Sequence, residues 1–557
     1  MNAIRSAGSF GSIGTNAAPD FTTLLAEYVA PVGEAEVVLA RIVGGLVGLE
    51  RVSVVESFFA LGGDSILSIQ LVSAARAAGL VLSPREVFEH KTVRALAAVA
   101  VGGGGGRLPV LAEPQGGGVG EVVLSPIVSW MVESALDTDA YADFSQSVVL
   151  TAPAGLTRES LAAVVDAVVG VHPMLTARLA ADGDGRVRLT ATGTVDARNA
   201  VAVVETGARL GEPAFADAIR HAHREALGRL DPSSGALVQV VAVYGADGDG
   251  RQVGRVVVAI HHLGVDVVSW PVLIEDFATA YAAVAAGEAP RLRSEGTSVR
   301  AWTAALAERA AARADEVEYW LARTPVSPTD LGGRLDSGRD RFGSSGVWVH
   351  EVAPEVTAAL VSAVPEAFGG HVNDGLLAGL ARAVRGWQQA RGIEDVAPVS
   401  VLVEGHGRVD EVGVDEQRFG VDLTRTVGWF TSIAPVSVDP GGDVVRAVKA
   451  AKEEWLGRPD EGIGFGLLRY GPRGLVEPSG SAELAGRPLP SIAFNYLGNR
   501  GAGFSGDGSG EVVGFLPAGD APVLEPSVSG LLPLMAVLAA DAWVVASDRK
   551  STRLNSS

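Results

Sequence analysis

Residues 255–270, which read RVVVAIHHLGVDVVSW, decide the fold of the region around them. Their β-branched run Val256–Ile260 predicts a buried strand that ends at His261 and His262. Because neighbouring residues of a strand point to opposite faces, only one of these imidazoles can face a given cavity. An imidazole at a strand end, with Asp266 shortly after it, is suited to proton transfer. The alternative, which fits the same residues equally well, is that the two histidines are buried, hydrogen-bonded and purely structural.

Length and composition narrow the class of protein. The 557 residues exceed one ordinary core, so we expect about two to four domains, and a hydrophobic share of 47% fits a globular protein. The net charge of −20 argues against nucleic acid or an anionic membrane as a partner. The lack of cysteine excludes disulfides, thiol nucleophiles and thiolate metal sites. With neither a secretory signal nor an apolar run long enough to span a bilayer, we expect a cytoplasmic protein.

The N-terminal part of the chain predicts a small helical domain. Residues 1–27 lack periodicity and are predicted to be disordered. Apolar residues at helical spacing predict the helices Glu34–Val47, Ser65–Ala78 and Val93–Val101. Before the second helix, the string Phe58–Ile66 (FFALGGDSI) offers a tight Gly-Gly turn and presents Ser65 beside Asp64 at a helix start. The alternative for Ser65 is a plain capping serine.

That string, together with Phe88–Val93 (FEHKTV), resembles the peptidyl carrier protein of nonribosomal peptide synthetases over residues 28–101. The resemblance implies a four-helix bundle and covalent 4′-phosphopantetheine on Ser65, attached by a phosphopantetheinyl transferase. The GGDSI form is similar to that of carriers that precede an epimerization domain. Residues 102–120 are a Gly-rich linker by composition, and a flexible chain of this length spans about 25 Å root-mean-square. We expect its central proline-containing part to be stiffer.

Beyond Glu121, strands and helices alternate, which predicts α/β or α+β layers in two halves, residues 121–290 and 291–546. The predicted strands include Ser147–Leu150, Val201–Val204, Trp348–Val352, Val399–Val403 and Ile492–Phe494. The predicted helices include Leu161–Val169, Ala214–Leu227, Val272–Ala285 and Val299–Arg313.

Five further sequence motifs lie after the linker. They are Ser125–Trp130 (SPIVSW), Glu404–Arg408 (EGHGR), Arg425–Thr431 (RTVGWFT), Gly462–Tyr470 (GIGFGLLRY) and Phe494–Gly498 (FNYLG). With the histidine segment they resemble, from about Glu121 to Val545, the epimerization domain of nonribosomal peptide synthetases, a relative of the condensation domain. The resemblance implies an α+β fold, in which the carrier bundle precedes two chloramphenicol-acetyltransferase-like α/β-layer lobes that form a V around a central tunnel. It also implies that His262 and Glu404 are catalytic and that His261 is structural. A last strand and helix of the family should follow Val545, where residues 547–557 (SDRKSTRLNSS) stand instead, so we expect a C-terminally truncated second lobe followed by a non-native tail.

The chemistry of epimerization fits these residue types. Inverting an α-carbon held as a thioester requires that its proton be removed and that one be returned on the opposite face, which suits a carboxylate and an imidazole. The enolate-like intermediate needs nearby donors, for which Asn495 and Tyr496 are candidates. We expect Asp266 to order the histidine loop through an arginine. No metal or redox cofactor is needed, and the expected partners are an upstream adenylation domain and a downstream condensation domain.

Four positions depart from the family pattern, and two other functions stay open. The departures are Val128, Val267, Pro271 and Val409. One alternative is a condensation enzyme, in which His262 assists the attack of an amine on a thioester. The other is a non-catalytic docking platform, in which the carrier is fused to inactive lobes. The Glu404–Arg408 string favours epimerization over condensation.

Overall fold

The computed structural model describes residues 28–102, 108–135, 141–153, 155–246, 252–308, 310–325, 350–393, 398–413, 418–471, 480–496 and 536–540, together with Phe515, Ala518 and Pro522. The predicted disorder of residues 1–27 and the predicted foreign tail, residues 547–557, lie outside this range. Among the described residues, no helix is both long and apolar enough to cross a lipid bilayer.

The N-terminal domain is a bundle of short helices. They are α1 (Glu34–Val47), α2 (Ser65–Ala77), α3 (Pro84–His90) and α4 (Val93–Gly102). Helix α2 begins where predicted, because the Asp64 carboxylate accepts a hydrogen bond from the Leu67 amide at 2.8 Å. The turn before it needs glycine twice: Gly62 has a φ of 99°, and a side chain on Gly63 would collide with the Phe58 ring. The sequence missed α3, a single short segment with a capping box at Ser83.

The first lobe is a sheet with helices packed on it. Its elements are β1 (Gly120–Val122), α5 (Pro126–Ser134), β2 (Ser145–Thr151), α6 (Arg158–Val171), β3 (Ala177–Ala181), β4 (Val187–Ala191), β5 (Val201–Arg209), α7 (Pro213–Leu227), β6 (Val238–Ala246), β7 (Gln252–His261) and α8 (Ser269–Ala285). The main sheet has the order β2-β7-β6-β5, with β7 antiparallel to both of its neighbours. Strand β7 contains the Val256–Ile260 run, which is fully buried, as predicted.

The second lobe repeats this layered construction around another sheet. Its elements are α9 (Val299–Glu308), α10 (Val317–Arg323), α11 (Pro354–Ala358), α12 (Val364–Phe368), α13 (Val372–Gln389), β8 (Val399–Gly405), β9 (Glu411–Val412), β10 (Phe419–Gly420), β11 (Ser432–Val438), α14 (Val444–Leu456), α15 (Ile463–Tyr470), α16 (Ser481–Gly486), β12 (Ile492–Tyr496) and β13 (Ala536–Ala540). The sheet order is β11-β8-β12-β13, and β8 lies parallel to β12. Strand β8 therefore delivers Glu404 at the end of a buried central strand.

One apolar core includes side chains of both lobes, among them Leu263 of the first lobe and Phe430 of the second. The ring centroids of Trp302 and Phe430 lie 4.8 Å apart inside it. A Cβ on Gly466 of α15 would lie 2.8 Å from Pro126 of α5, so these two helices approach closely. The loop between β10 and β11, residues 421–431, carries the predicted RTVGWFT string back across to the first lobe.

Two predictions of local structure are wrong. The described part of the expected strand Trp348–Val352, residues 350–352, is not in a strand. Its valines are flanked by charged and proline residues and do not alternate with polar ones. The prediction therefore had no two-residue strand periodicity to support it. The expected helix Val299–Arg313 ends at Glu308, and a 3₁₀ segment, Ala310–Glu316, follows.

Candidate active site

The histidine pair is divided by the end of strand β7. His261 is the last residue of the strand, whereas His262 opens a 3₁₀ turn. The imidazole of His261 is completely buried; its Nε2 donates to the Tyr141 carbonyl at 2.7 Å and its Nδ1 accepts from the Leu263 amide at 3.1 Å. Both ring nitrogens are thus satisfied by backbone groups, and burial lowers the pKa of His261 to about 4. His261 has the contacts of a structural residue.

His262 lies between aromatic rings at the other side of this turn. Its ring centroid is 4.7 Å from that of Phe144, which stacks on it, and 4.5 Å from that of Trp429. The Nε2 atom is 2.9 Å from Nε2 of Gln146. Burial lowers the pKa of His262 to about 4 although the Asp266 carboxylate opposes this effect. The imidazole is therefore neutral at physiological pH.

Glu404 is the other residue expected to carry out acid/base chemistry. It lies opposite Ile433 in the antiparallel pair of β8 and β11. Asn495, from the parallel neighbour β12, donates its amide to Oε2 of Glu404 at 2.6 Å. Burial raises the pKa of Glu404 to about 7, so this carboxyl group can both release and accept protons near neutral pH. The sequence suggested Asn495 as a donor to substrate, but its described partner is Glu404.

Asp266 is tied to the second lobe by a buried ion pair. The Arg408 guanidinium donates to Oδ1 of Asp266 at 2.8 Å, and the Ser269 hydroxyl donates to the same oxygen at 2.7 Å. Arg408 also donates to the carbonyl groups of Leu423 and Thr426, at 2.8 and 2.6 Å. The histidine turn of one lobe and the EGHGR segment of the other are thereby held together. The arginine partner expected for Asp266 is Arg408.

A cavity of 610 Å³ lies where the N-terminal domain and both lobes meet. Ser65 and Phe59 of the N-terminal domain line it, as do Glu404 and Tyr496 of the second lobe. Its lining also includes Asp266, Val267 and Asn495. The structure thus brings Ser65, Glu404, Asp266, Asn495 and Tyr496 to one space.

His262 is not part of the described lining of this cavity. Trp429 lies against the His262 ring, and its indole nitrogen donates to the Thr431 hydroxyl at 3.1 Å. Thr431 does line the cavity. Trp429 and Thr431 thus connect the His262 ring to the lining of the cavity.

The N-terminal domain contacts the second lobe through aromatic and ionic contacts. Phe59 and Phe88 stack at 4.9 Å, and both rings meet the His371 ring edge-on at 5.8 and 5.9 Å. Arg76 of α2 pairs with Asp422 in the loop after β10. The aromatic contact lies near the start of α2 and the ion pair near its end, so together they hold the helix that begins with Ser65 against the second lobe.

The segment between the two domains is more ordered than its composition predicts. We call residues 108–119 the strap. Its backbone joins the β9–β10 hairpin, because the Leu111 amide donates to the Gly420 carbonyl at 3.0 Å. Nη1 of Arg300 donates to three strap carbonyl groups, those of Gln115, Gly117 and Val119, at 2.8–3.1 Å. The strap contains the proline-containing part of the linker, which the sequence predicts to be stiffer than the glycine runs, and its backbone is hydrogen-bonded to the second lobe.

Several residues at the site were missed by sequence reasoning. Gln146, Trp429 and His371 each make a contact described above, but they come from segments far apart in the chain. Trp429 lies within the quoted RTVGWFT string, which is the one signal that could have identified it. Gln146 belongs to a strand whose apolar pattern starts only at Val148, and nothing in its neighbourhood marks it.

Helices that present a serine to a cavity shared with a two-lobed α/β domain define a class of protein: a carrier joined to a domain that acts on what the carrier holds. The chain belongs to the Condensation domain family, whose model matches residues 120–474. A second family model, Phosphopantetheine attachment site, matches residues 37–100. This pairing, that of a nonribosomal peptide synthetase, was predicted and is confirmed, as is 4′-phosphopantetheine as the cofactor of the carrier.

Curated relatives are large synthetases. One of the linear gramicidin synthase proteins of Brevibacillus parabrevis is 34% identical over 491 residues, which are 86% of this chain and 9% of that protein. Surfactin synthase subunit 1 of Bacillus subtilis (strain 168) is 31% identical over 487 residues, 86% of this chain and 13% of that protein. The chain thus spans about a tenth of the length of the curated relatives it matches.

Solved structures bear out the predicted fold class. The epimerization domain from the third module of tyrocidine synthetase B matches with a TM-score of 0.58 and 27% identity, over 78% of this chain and 91% of that one. The first condensation domain of the calcium-dependent antibiotic synthetase, in complex with a substrate analogue, matches with a TM-score of 0.52 and 19% identity, over 76% and 88% of the two chains. The second likeness concerns the fold alone. The helical carrier followed by two condensation-like lobes is confirmed.

Proposed function

We propose that this chain interconverts the L and D forms of an aminoacyl or peptidyl residue held as a thioester on the carrier at Ser65. The observation that carries the proposal is Glu404, a partly buried carboxyl group with a pKa raised to about 7, in the cavity that Ser65 also lines. A group that exchanges protons near neutral pH, within reach of a tethered α-carbon, is what α-proton removal and return require. The 27% identity to an epimerization domain supports the same function.

The residues around Ser65 fit a phosphopantetheine group. Ser65 opens a helix, and its surroundings include the cations Lys91 and Lys452, which line the cavity as well. His371 is near enough to both lysines for their charge to lower its pKa, although burial is the larger cause. A phosphodiester beside these groups would be paired with positive charge. When attached, the group supplies the thioester that makes the α-proton acidic.

The protein's own residues then divide the proton transfers. Glu404 serves one face of the α-carbon, and Asn495 positions it by binding Oε2. His262 serves the opposite face and requires that the rings around it move, because it does not belong to the described lining of the cavity. Tyr496, which lines the cavity, is a candidate donor to the developing charge on the thioester oxygen. Asp266 and Arg408 hold the two lobes in register and carry out no chemistry.

Within a synthetase, an adenylation domain would load the carrier and a condensation domain would consume the product. A phosphopantetheinyl transferase would first modify Ser65. These partners follow from the modular order of carrier and condensation-family domains.

The test loads Ser65 with an L-aminoacyl-pantetheine and follows solvent deuterium into the α-position by mass spectrometry. We expect exchange in the wild type, and its loss in Glu404→Gln. The matched control is Glu205→Gln, the same change at an exposed position of β5. The absence of exchange in a protein whose loading is confirmed by mass would overturn the proposal. Exchange that survives both Glu404→Gln and His262→Ala would show that the residue assignment is wrong.

Peptide-bond formation is the second candidate, because the family model is that of the Condensation domain. This function predicts that the loaded chain forms a peptide thioester instead of exchanging its α-proton. If the loaded chain, mixed with a second loaded carrier, yields a peptide thioester without deuterium exchange, condensation is the activity. If neither product forms, the lobes act as a docking platform.

A further inference from the structure

Gln146 lies beside His262, yet it belongs to none of the strings that identified the site. It is the second residue of β2, and it pairs with Ile260 of β7. Its side chain makes two polar contacts. Nε2 of Gln146 lies 2.9 Å from Nε2 of His262, and Oε1 accepts a hydrogen bond from the Trp270 indole nitrogen at 2.8 Å.

The Trp270 indole fixes which end of the amide faces which partner. An indole nitrogen can only donate, so the Gln146 atom that faces it must be the carbonyl oxygen. The NH₂ group of Gln146 then faces His262, and an NH₂ group can only donate. Nε2 of His262 must therefore be unprotonated to accept this bond. The single proton of the neutral ring has to sit on Nδ1.

The rest of the His262 surroundings agree with a neutral ring. Phe144 and Trp429 flank it, and its Nδ1 is buried without a hydrogen-bond partner in the described part of the chain. Asp266 is the titratable group whose charge acts on His262; its carboxylate favours the protonated ring, as do the backbone groups of His262 and Val265, but the effect of burial is larger and in the opposite direction. A protonated ring would carry a proton on Nε2 and turn it toward the NH₂ group of Gln146, which would place two donors against each other.

We propose that Gln146, oriented by Trp270, is a positioning residue that holds His262 as the neutral Nδ1-protonated tautomer, with the lone pair of Nε2 occupied until substrate displaces the amide. This inference rests on the proposed function. The resting site then holds its exchangeable proton on Glu404. When His262 accepts the α-proton, the α C–H bond breaks and its proton moves to Nε2. The Glu404 O–H bond then breaks, and its proton forms the new C–H bond on the opposite face. The reverse direction restores both groups.

The decisive measurement is the tautomer of His262, read by long-range ¹H–¹⁵N NMR on the whole chain labelled at histidine. The His262 signals are assigned by their loss in His262→Gln. In the wild type at pH 7 we expect Nδ1 to be protonated and Nε2 to be unprotonated. In Gln146→Glu, whose carboxylate can only accept, we expect a proton on Nε2. Wild-type signals of the opposite tautomer, or a tautomer unchanged in Gln146→Glu, would overturn the proposal.

Two further variants separate positioning from folding. Gln389→Glu makes the same change at the exposed end of α13 and should leave the His262 signals as they are. Trp270→Phe removes the donor that orients the amide and should give a mixture of tautomers, so it keeps the proposal testable if Gln146→Glu does not fold. We also expect Gln146→Glu to slow deuterium exchange at pH 7 at least tenfold and to move its pH profile. The tautomer is read without turnover, so a failure of the proposed epimerization is distinguishable from a failure of this inference.

Discussion

The pKa of the Glu404 carboxyl group lies above that of the His262 imidazole, which reverses the usual order of these two groups. The pH dependence of deuterium exchange at the α-carbon is therefore a sharp test of the proposed function. Burial raises the pKa of Glu404 to about 7 and lowers that of His262 to about 4. When one proton is shared between them, it therefore resides on Glu404. The separation of about 7 from about 4 corresponds to about 4 kcal/mol in favour of this arrangement over the proton on His262.

The exchange rate should follow the population of this one-proton form. We expect a level rate at about pH 5–6.5 and a decline of about tenfold per pH unit above about pH 7, because Glu404 loses its proton there. The assay is single-turnover deuterium exchange on the loaded chain, quenched and read by mass spectrometry, with circular dichroism as a check of folding at each pH. Glu205→Gln should reproduce the wild-type profile.

A rate that rises through pH 7 and stays high would refute this reasoning. It would mean that the ionised Glu404 carboxylate acts alone as the base and that no shared proton is needed. A profile with no inflection near pH 7 would place the pKa of Glu404 elsewhere.

The same raised pKa predicts a cost in stability. The folded state binds the Glu404 proton more tightly than the unfolded chain, whose pKa is near 4.5. The stability linked to this group is therefore complete below pH 4.5 and is lost as the pH rises through 7. By pH 8 the loss is at most about 3 kcal/mol. Urea unfolding should show Glu404→Gln to be more stable than the wild type at pH 8, and equal stabilities there would contradict the burial of an ionisable carboxyl group.

Three contacts between segments give further predictions. Arg408→Met leaves the Asp266 carboxylate buried and unpaired, so urea unfolding should show a loss of roughly 3–5 kcal/mol, part of which Asp266→Leu in the same chain recovers. Arg76→Asp breaks a half-exposed ion pair with Asp422, which is worth about 1 kcal/mol or less. This change should slow deuterium exchange on the tethered substrate a few-fold, and adding Asp422→Arg to the same chain should restore the rate. Failure of the second change to restore the rate would exclude the pairing. Arg300→Gln removes donors to three strap carbonyl groups. It should slow deuterium exchange on an aminoacyl group held by the carrier but not on a free aminoacyl thioester of N-acetylcysteamine. Equal slowing with both substrates would contradict a role of Arg300 in placing the carrier.

Local patterns in the sequence predicted the elements that carry the chemistry. The run Val256–Ile260 has the length and β-branching of a buried strand, and β7 ends where the histidines begin. Asp64 is a strong helix N-cap, and α2 starts directly after it. In both cases the residues that determine the structure are neighbours in the chain. The strand Trp348–Val352 lacked such a pattern, and its described part is not a strand.

Contacts between distant segments could not be predicted from the sequence. Asp266 and Arg408 are 142 residues apart, and only the packing of the two lobes brings them within 2.8 Å. The strap shows a different limit of sequence reasoning. A Gly-rich composition predicts flexibility because it offers no side chains to bind, yet Arg300 binds the backbone carbonyl groups, which every residue possesses.

Two independent features of the site favour the same distribution of protons. Desolvation disfavours charge on both groups, so it raises the pKa of Glu404 and lowers that of His262. The amide of Gln146, fixed by an indole that can only donate, offers Nε2 of His262 a donor and so disfavours a proton there. Burial alone would leave the tautomer of His262 undetermined, and the amide alone would not neutralise Glu404. Together they define a site whose one exchangeable proton rests on Glu404, and a site of that kind can exchange this proton with a tethered α-carbon in either direction.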